Sequence, residues 1–278
     1  MRNKFLILGI AGLLAACQIE TSQFEADDKL LWSDEFEVAG MPDSTKWGYH
    51  TGGHGWGNNE LQHYLAARPE NARVEDGKLI IEAHREDVED KEYSSARLIS
   101  QPSGKWQYAY VEVKAKLPKG RGTWPAIWMM PDASTYGGWP KSGEIDIMEH
   151  VGYDPGVIHG TVHTESFNHV DGTHLSAQKT ITDFDEEFHV YAINWTEEEM
   201  EFFIDGEKYF SFVNTGNGSD DWPFDQDFYL ILNVAVGGNW AGKEGVDESI
   251  WPQRMEVDYV RVYEPRPLTP TKAVEATF

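Results

Sequence analysis

From Lys78 onward the chain falls into short runs in which apolar residues either alternate with polar ones or follow one another without a break. Lys78 to His84, Tyr108 to Lys116, Glu144 to Val151, Val157 to His163, His189 to Trp195, Met200 to Ile204, Phe228 to Val236 and Met255 to Tyr263 all read as strands. Several alternate strictly, as antiparallel strands with one buried face do. Asp76-Gly77 and Asp205-Gly206 are tight-turn dipeptides placed directly before or after such runs. Helical periodicity is poor after residue 17, and no internal repeat or heptad is present. Many strands with little helix predict an all-β sandwich or jelly roll. No domain break interrupts residues 29–264. The proline-rich stretch from Glu264, with Pro265, Pro267 and Pro270, reads as a frayed tail over 265–278.

Composition narrows the function. The 278 residues carry a formal net charge of −24. Nucleic acid is thereby excluded as a partner, because phosphate binding needs clustered Lys and Arg. A polyanionic substrate is disfavoured by the protein's own field. The N-terminus has the layout of an export signal: Arg2 and Lys4, then an apolar run from Phe5 to Leu14 too short to span a bilayer. Leu14-Ala15-Ala16-Cys17 follows, and it resembles the lipobox of bacterial lipoproteins. Cys17 is the sole cysteine and stands where a thiol would take the lipid. Residues 1–16 therefore read as a signal peptide and 17–28 as a lipidated polar tether. Loss of Arg2 and Lys4 leaves the remainder two units more negative. With one cysteine no intrachain disulfide forms, so stability must come from burial. Gln18 after the cysteine favours, by resemblance to the Gram-negative sorting rule, the outer membrane or cell surface.

The candidate chemistry sits in Gly143-Glu144-Ile145-Asp146-Ile147-Met148-Glu149-His150. On a regular strand Glu144, Asp146 and Met148 share a face and Glu149 points the other way. A one-residue bulge near 147–148 would return Glu149 to the face of Glu144 and Asp146. Two carboxyl groups flanking a bond are what glycoside hydrolysis requires, about 5–5.5 Å apart when configuration is retained. Crowding of a third acid between them raises at least one pKa of the group, as a general acid at neutral pH needs. The motif alone also fits an acid-studded exposed strand, or a metal site of three carboxylates.

The flanks separate these readings. Eleven tryptophans are present, and Trp56, Trp124, Trp139, Trp240 and Trp251 fall in polar, glycine-rich stretches. Flat rings there suit the C–H faces of sugars; Trp195, within a strand, reads as core. Glu144 to Glu149 as Glu-x-Asp-x-x-Glu, together with Trp124-Pro125-Ala126-Ile127-Trp128-Met129-Met130-Pro131, Gly57-Asn58-Asn59-Glu60-Leu61-Gln62, Ser95-Ala96-Arg97, His159 to Thr164 and Met255 to Tyr263, resembles glycoside hydrolase family 16, laminarinase type, over residues 30–264. The resemblance implies a β-jelly roll of two antiparallel sheets with a concave glycan cleft, occupying 29–264. It implies a retaining endo-β-1,3-glucanase with Glu144 as nucleophile, Glu149 as acid/base and Asp146 assisting. Trp124 and Trp128 would line the subsites around the cut. Asn59, Arg97 and Trp240 would hold sugars on the non-reducing side, and His163 would sit near the acid/base against the sugar. No cofactor enters the chemistry. A structural calcium ion on the convex side would take Glu35, Gly77 and Asp258, largely through backbone oxygens.

Met148 stands at an insertion that mixed-linkage enzymes of this family lack, which points to β-1,3-glucan, with mixed-linkage β-1,3-1,4-glucan as a second substrate. No large insertion closes one end of the cleft, so cutting is expected within chains, by a monomer. The alternatives are an agarase- or lichenase-like hydrolase of another galactan or glucan, a non-catalytic surface glycan-binding lipoprotein, a metal-binding structural β protein, and transglycosylation through the same intermediate.

Overall fold

The structure, a computed structural model, describes residues 28–269; the proposed signal peptide and Cys17 lie outside the described residues. The chain forms β1 (Leu30–Asp34), β2 (Gly48–Tyr49), β3 (Gln62–Tyr64), β4 (Ala72–Glu75), β5 (Lys78–Val88), β6 (Lys91–Ser95), β7 (Arg97–Ile99) and β8 (Ala109–Lys116). It continues with β9 (Thr123–Pro131), β10 (Glu144–His150), β11 (Val157–His163), β12 (Leu175–Thr180), β13 (His189–Trp195), β14 (Glu199–Ile204), β15 (Glu207–Val213) and β16 (Phe228–Val236). The one helix among the described residues, the short α1 (Gly238–Ala241), precedes β17 (Gln253–Tyr263). The turns of the β4–β5 and β14–β15 hairpins are the Asp-Gly pairs. Asp76 and Gly77 have φ of 51° and 73°, and Asp205 and Gly206 have 52° and 77°. Two successive positive φ values are the hairpin geometry that Asp-Gly favours.

The strands make two sheets, as a jelly roll requires. One runs β15-β14-β13-β8-β17-β5-β6-β3, with β1 on β17 and β4 on β5; the other runs β12-β11-β10-β9-β16-β7-β2. The core lies between them. Ile127, Met129, Ile145, Leu230, Leu232 and Val234 from the second sheet meet Leu79, Ile81, Val111, Val113, Val257 and Val260 from the first. Trp195 is fully buried there, as read from the sequence. Trp251, partly buried, also packs on this core, edge-on to Tyr93 at 5.2 Å. Its polar neighbours in sequence hid that tertiary contact.

The tail departs from expectation. Through residue 269 it is pinned, not frayed. Arg266 exchanges main-chain hydrogen bonds with the Asn194 side chain, and its guanidinium lies 3.4 Å from the centroid of the Tyr110 ring. The Thr269 amide donates to Glu201. Prolines barred the segment from a strand ladder, but side chains of β8, β13 and β14 supply its partners.

Candidate active site

The seven-stranded sheet carries the acids on the face turned away from the core. Opposite β9, Asp146 pairs with Trp128 and Met148 with Ile127, so two steps on β10 oppose one on β9. Opposite β11, Asp146 pairs with Thr161 and Glu149 with His159. This is a one-residue bulge at Ile147-Met148. Both bulge side chains enter the core, Ile147 at 1% and Met148 at 0% exposure. Glu149 therefore returns to the face of Glu144 and Asp146, the arrangement the spacing predicted.

Burial sets the electrostatics of the three acids. Desolvation raises the pKa of each; Glu149 raises Glu144 further, and both neighbours raise Asp146. Opposing effects fall unequally. The Arg97 guanidinium and the Trp139 indole favour an ionised Glu144. The Trp124 Nε1–H donates to Glu149 Oε1 at 2.9 Å. Asp146 has no such help, and its Oδ2 has no hydrogen-bond partner. Burial and mutual repulsion thus bias the whole row toward the protonated form, with Glu144 pushed up to about 8, Glu149 to about 7 and Asp146 well above the usual carboxylate range.

The expected sugar-binding residues surround this row. Trp124 meets Trp240 edge-on at 5.3 Å, and Trp240 meets His159 at 4.9 Å, so one wall stands beside Glu149. Asn59, exposed and at φ 55°, donates to Asn239 next to Trp240 at 2.9 Å, tying the 55–61 loop to α1. Gly238 permits this approach: a Cβ there would fall 2.8 Å from the Asn58 carbonyl oxygen. Arg97 is buried, with its guanidinium 4.4 Å from the Trp56 ring and 4.5 Å from the Trp128 ring. His163 is displaced from its expected place. It pairs with Glu144, its Nε2 lying 3.4 Å from Asp146 Oδ2 and 3.8 Å from Glu144 Oε1. His159, two positions in from the start of β11, is the histidine across from the acid/base candidate. Antiparallel register decides this, because the end of β11 meets the start of β10. Burial first, then His169 and His174, holds the His163 pKa down to about 3, so its ring is neutral.

Asn233 and Tyr64 were not singled out from the sequence. Trp128 Nε1–H donates to Asn233 Oδ1 at 2.7 Å, and Asn233 Nδ2–H donates to the Tyr64 hydroxyl at 3.1 Å. Gln62 donates to Glu60, whose buried carboxylate pKa is raised. A lone Asn in the otherwise apolar Phe228–Val236 run was the signal available for this network. Trp139, 39% exposed, stands at the opposite wall, 5.9 Å from the His163 ring and 5.0 Å from that of His169.

The residues named for calcium gather at one end of the other sheet. Glu35 follows Asp34, which pairs with Val260; Asp258 follows Val257, which pairs with Leu79; Gly77 lies in the turn before β5. The Glu35 carboxylate accepts two hydrogen bonds from Arg261, at 2.9 and 2.8 Å, and Asp258 lies 2.8 Å from Lys114 Nζ. The donors left for an ion are main-chain oxygens, with Asp258 after displacement of Lys114. That oxygen-only set fits calcium.

Comparison with known proteins gives a consistent picture. The sequence profile of Glycosyl hydrolases family 16 matches residues 57–261. A beta-glucanase of Rhodothermus marinus is 54% identical over 242 residues, covering 84% of this chain and 85% of the relative. A glucan endo-1,3-beta-glucosidase of Cryptopygus antarcticus is 40% identical over 268 residues, covering 90% and 95%. The X-ray structure of the laminarinase from Rhodothermus marinus superposes with a TM-score of 0.84 at 53% identity, covering 86% of this chain and 98% of that one.

Proposed function

The chain belongs to glycosyl hydrolases family 16, and from that premise we propose that it hydrolyses internal β-1,3-glucosidic bonds of laminarin-like β-glucans with retention of configuration, and accepts mixed-linkage β-1,3-1,4-glucan as a second substrate. The observation that carries the reading is the β10 bulge, which returns Glu149 to the face of Glu144 and Asp146.

In the first step the Glu144 carboxylate attacks the anomeric carbon as the bond to the leaving oxygen breaks, and Glu149 gives that oxygen its proton. In the second step Glu149, now a carboxylate, takes a proton from water as the water oxygen attacks the same carbon and releases Glu144. Two inversions give net retention. Asp146, whose ionisation is opposed by burial and by both neighbouring carboxyl groups, steadies the charge on Glu144 while it carries its proton, since a neutral neighbour does not repel the anion. The Trp124 hydrogen bond favours the anionic Glu149 of the second step. Arg97, fixed between Trp56 and Trp128, and the Trp124–Trp240 wall offer planar surfaces to sugar rings.

Digestion of laminarin, curdlan, lichenan, agarose and carrageenan tests the reading, with Glu144→Gln as control. Laminarin should be cut fastest, into β-anomers first by NMR. Full activity of Glu144→Gln would refute the nucleophile, and α-anomers appearing first would refute retention.

Two further proposals rest on sequence features. A calcium ion held by main-chain oxygens of Glu35 and Gly77 and by Asp258 ties β1 to β17; calcium should raise the unfolding temperature and Asp258→Asn should abolish the increment. Cys17 carries a lipid that anchors a monomeric enzyme in the outer membrane or at the cell surface; Cys17→Ser should release it from the membrane fraction.

A further inference from the structure

The geometry points to a transition-metal site built into the catalytic row: Glu144, Asp146 and His163 form a three-ligand pocket for a zinc-class divalent cation, whose binding blocks the nucleophile. Among the described residues these are the three His, Cys, Asp or Glu side chains whose ligand atoms lie within 4.8 Å of one another. The spacing is close to what zinc demands. Metal–ligand bonds of about 2.0–2.2 Å in a tetrahedron put ligand atoms roughly 3.3–3.6 Å apart. His163 Nε2 stands 3.4 Å from Asp146 Oδ2 and 3.8 Å from Glu144 Oε1. A rotation of the Glu144 carboxyl closes the remainder.

A second observation points to a ligand independently of that spacing. Asp146 is 3% exposed, and its Oδ2, the atom facing His163, has no hydrogen-bond partner. A buried acceptor left so is costly and calls for a proton or a cation. The donor set selects the ion. One imidazole with two carboxylates suits zinc, copper or nickel, whereas calcium and magnesium prefer oxygen alone. Three protein ligands leave a fourth position facing the cleft. Glu149 is outside the set, so the cation would occupy the nucleophile without taking the acid/base as a ligand.

The inhibitory consequence rests on the glucanase reading; the binding itself does not. Titration calorimetry of the full chain with zinc chloride in a non-chelating buffer tests the site. Binding of one ion per chain is expected, and laminarin hydrolysis should fall with the same midpoint and recover with EDTA. Calcium chloride should not inhibit. Asp146→Asn and His163→Gln should each weaken zinc binding roughly a hundredfold or more, since even an outer-shell change costs on the order of 10–100-fold. The double variant His169→Gln/His174→Gln should bind zinc as the parent does. Thermal unfolding of each variant confirms the fold, and Asp146→Asn serves if His163→Gln does not fold. Absence of binding, unchanged affinity in the folded ligand variants, or loss of binding in the His169/His174 variant overturns the site. If laminarin is not hydrolysed at all, calorimetry still decides it.

Discussion

Trp124→Phe isolates one electrostatic contact beside the proposed acid/base. The indole Nε1–H of Trp124 donates to Glu149 Oε1 at 2.9 Å, and Phe retains an aromatic face there without that donor. The ring is 8% exposed, so no bulk water readily replaces the lost N–H. A hydrogen bond to a charged group contributes about 1.5–3 kcal/mol. The donor favours only the carboxylate, so its removal favours the acid. At 1.36 kcal/mol per unit, the Glu149 pKa should rise by about one to two units. The proposed reaction needs Glu149 protonated in its first step, so the alkaline limb of kcat/KM against pH should move upward by that amount. The assay is reducing-sugar release from laminarin in overlapping buffers, normalised to each variant's maximum to separate pKa from lost stacking. An alkaline limb that stays put, or moves down, refutes the assignment of Glu149 as the group whose proton is transferred.

Asp146→Asn should be relatively more stable than the parent as pH rises. The folded pKa of Asp146 is raised well above 3.8, so its stability contribution is intact below that value and is lost as pH climbs toward the folded pKa. The gap between variant and parent should widen by up to about 1.4 kcal/mol per pH unit in that window, and urea midpoints that differ equally at every pH would refute it. Arg97→Lys should raise KM for laminarin more than it lowers kcat, by about 0.5–2 kcal/mol of binding, because an ammonium cannot replace a planar guanidinium between Trp56 and Trp128. Arg266→Ala should lower the unfolding midpoint by about 1–3 kcal/mol through loss of its packing on Tyr110 and its pair with Asp28, with activity per folded molecule unchanged; unchanged proteolysis of the tail would show that it is not pinned there.

Strand identity was legible because alternation and the Asp-Gly turns are local. Val157–His163, His189–Trp195 and Phe228–Val236 match their predicted bounds. The bulge was legible too. Glu144, Asp146 and Glu149 cannot share a face on a regular strand, while Ile147 and Met148 are both apolar enough to enter the core. Less visible was anything that depends on which strand lies beside which. His163 falls opposite Glu144 and not Glu149 because β11 runs antiparallel to β10 from that end. Trp251 and Trp240 have similar polar surroundings in sequence, yet one packs on the core and the other on Trp124. The tail looked free because its partners, Asn194, Glu201 and Tyr110, are far away along the chain.

The sequence by itself determined the all-β class, the hairpin turns, the family likeness and the three acids on one strand, since each is fixed by residue type and spacing within a short window. Only the tertiary structure decided what surrounds those acids. The Asn233–Tyr64 link under Trp128, the sandwiched Arg97, the unpartnered Asp146 oxygen facing His163 and the withdrawal of water that raises the carboxyl pKa values all come from strands distant in the chain. Burial and register are properties of packed neighbours, and a linear pattern specifies its own face but not what lies across from it.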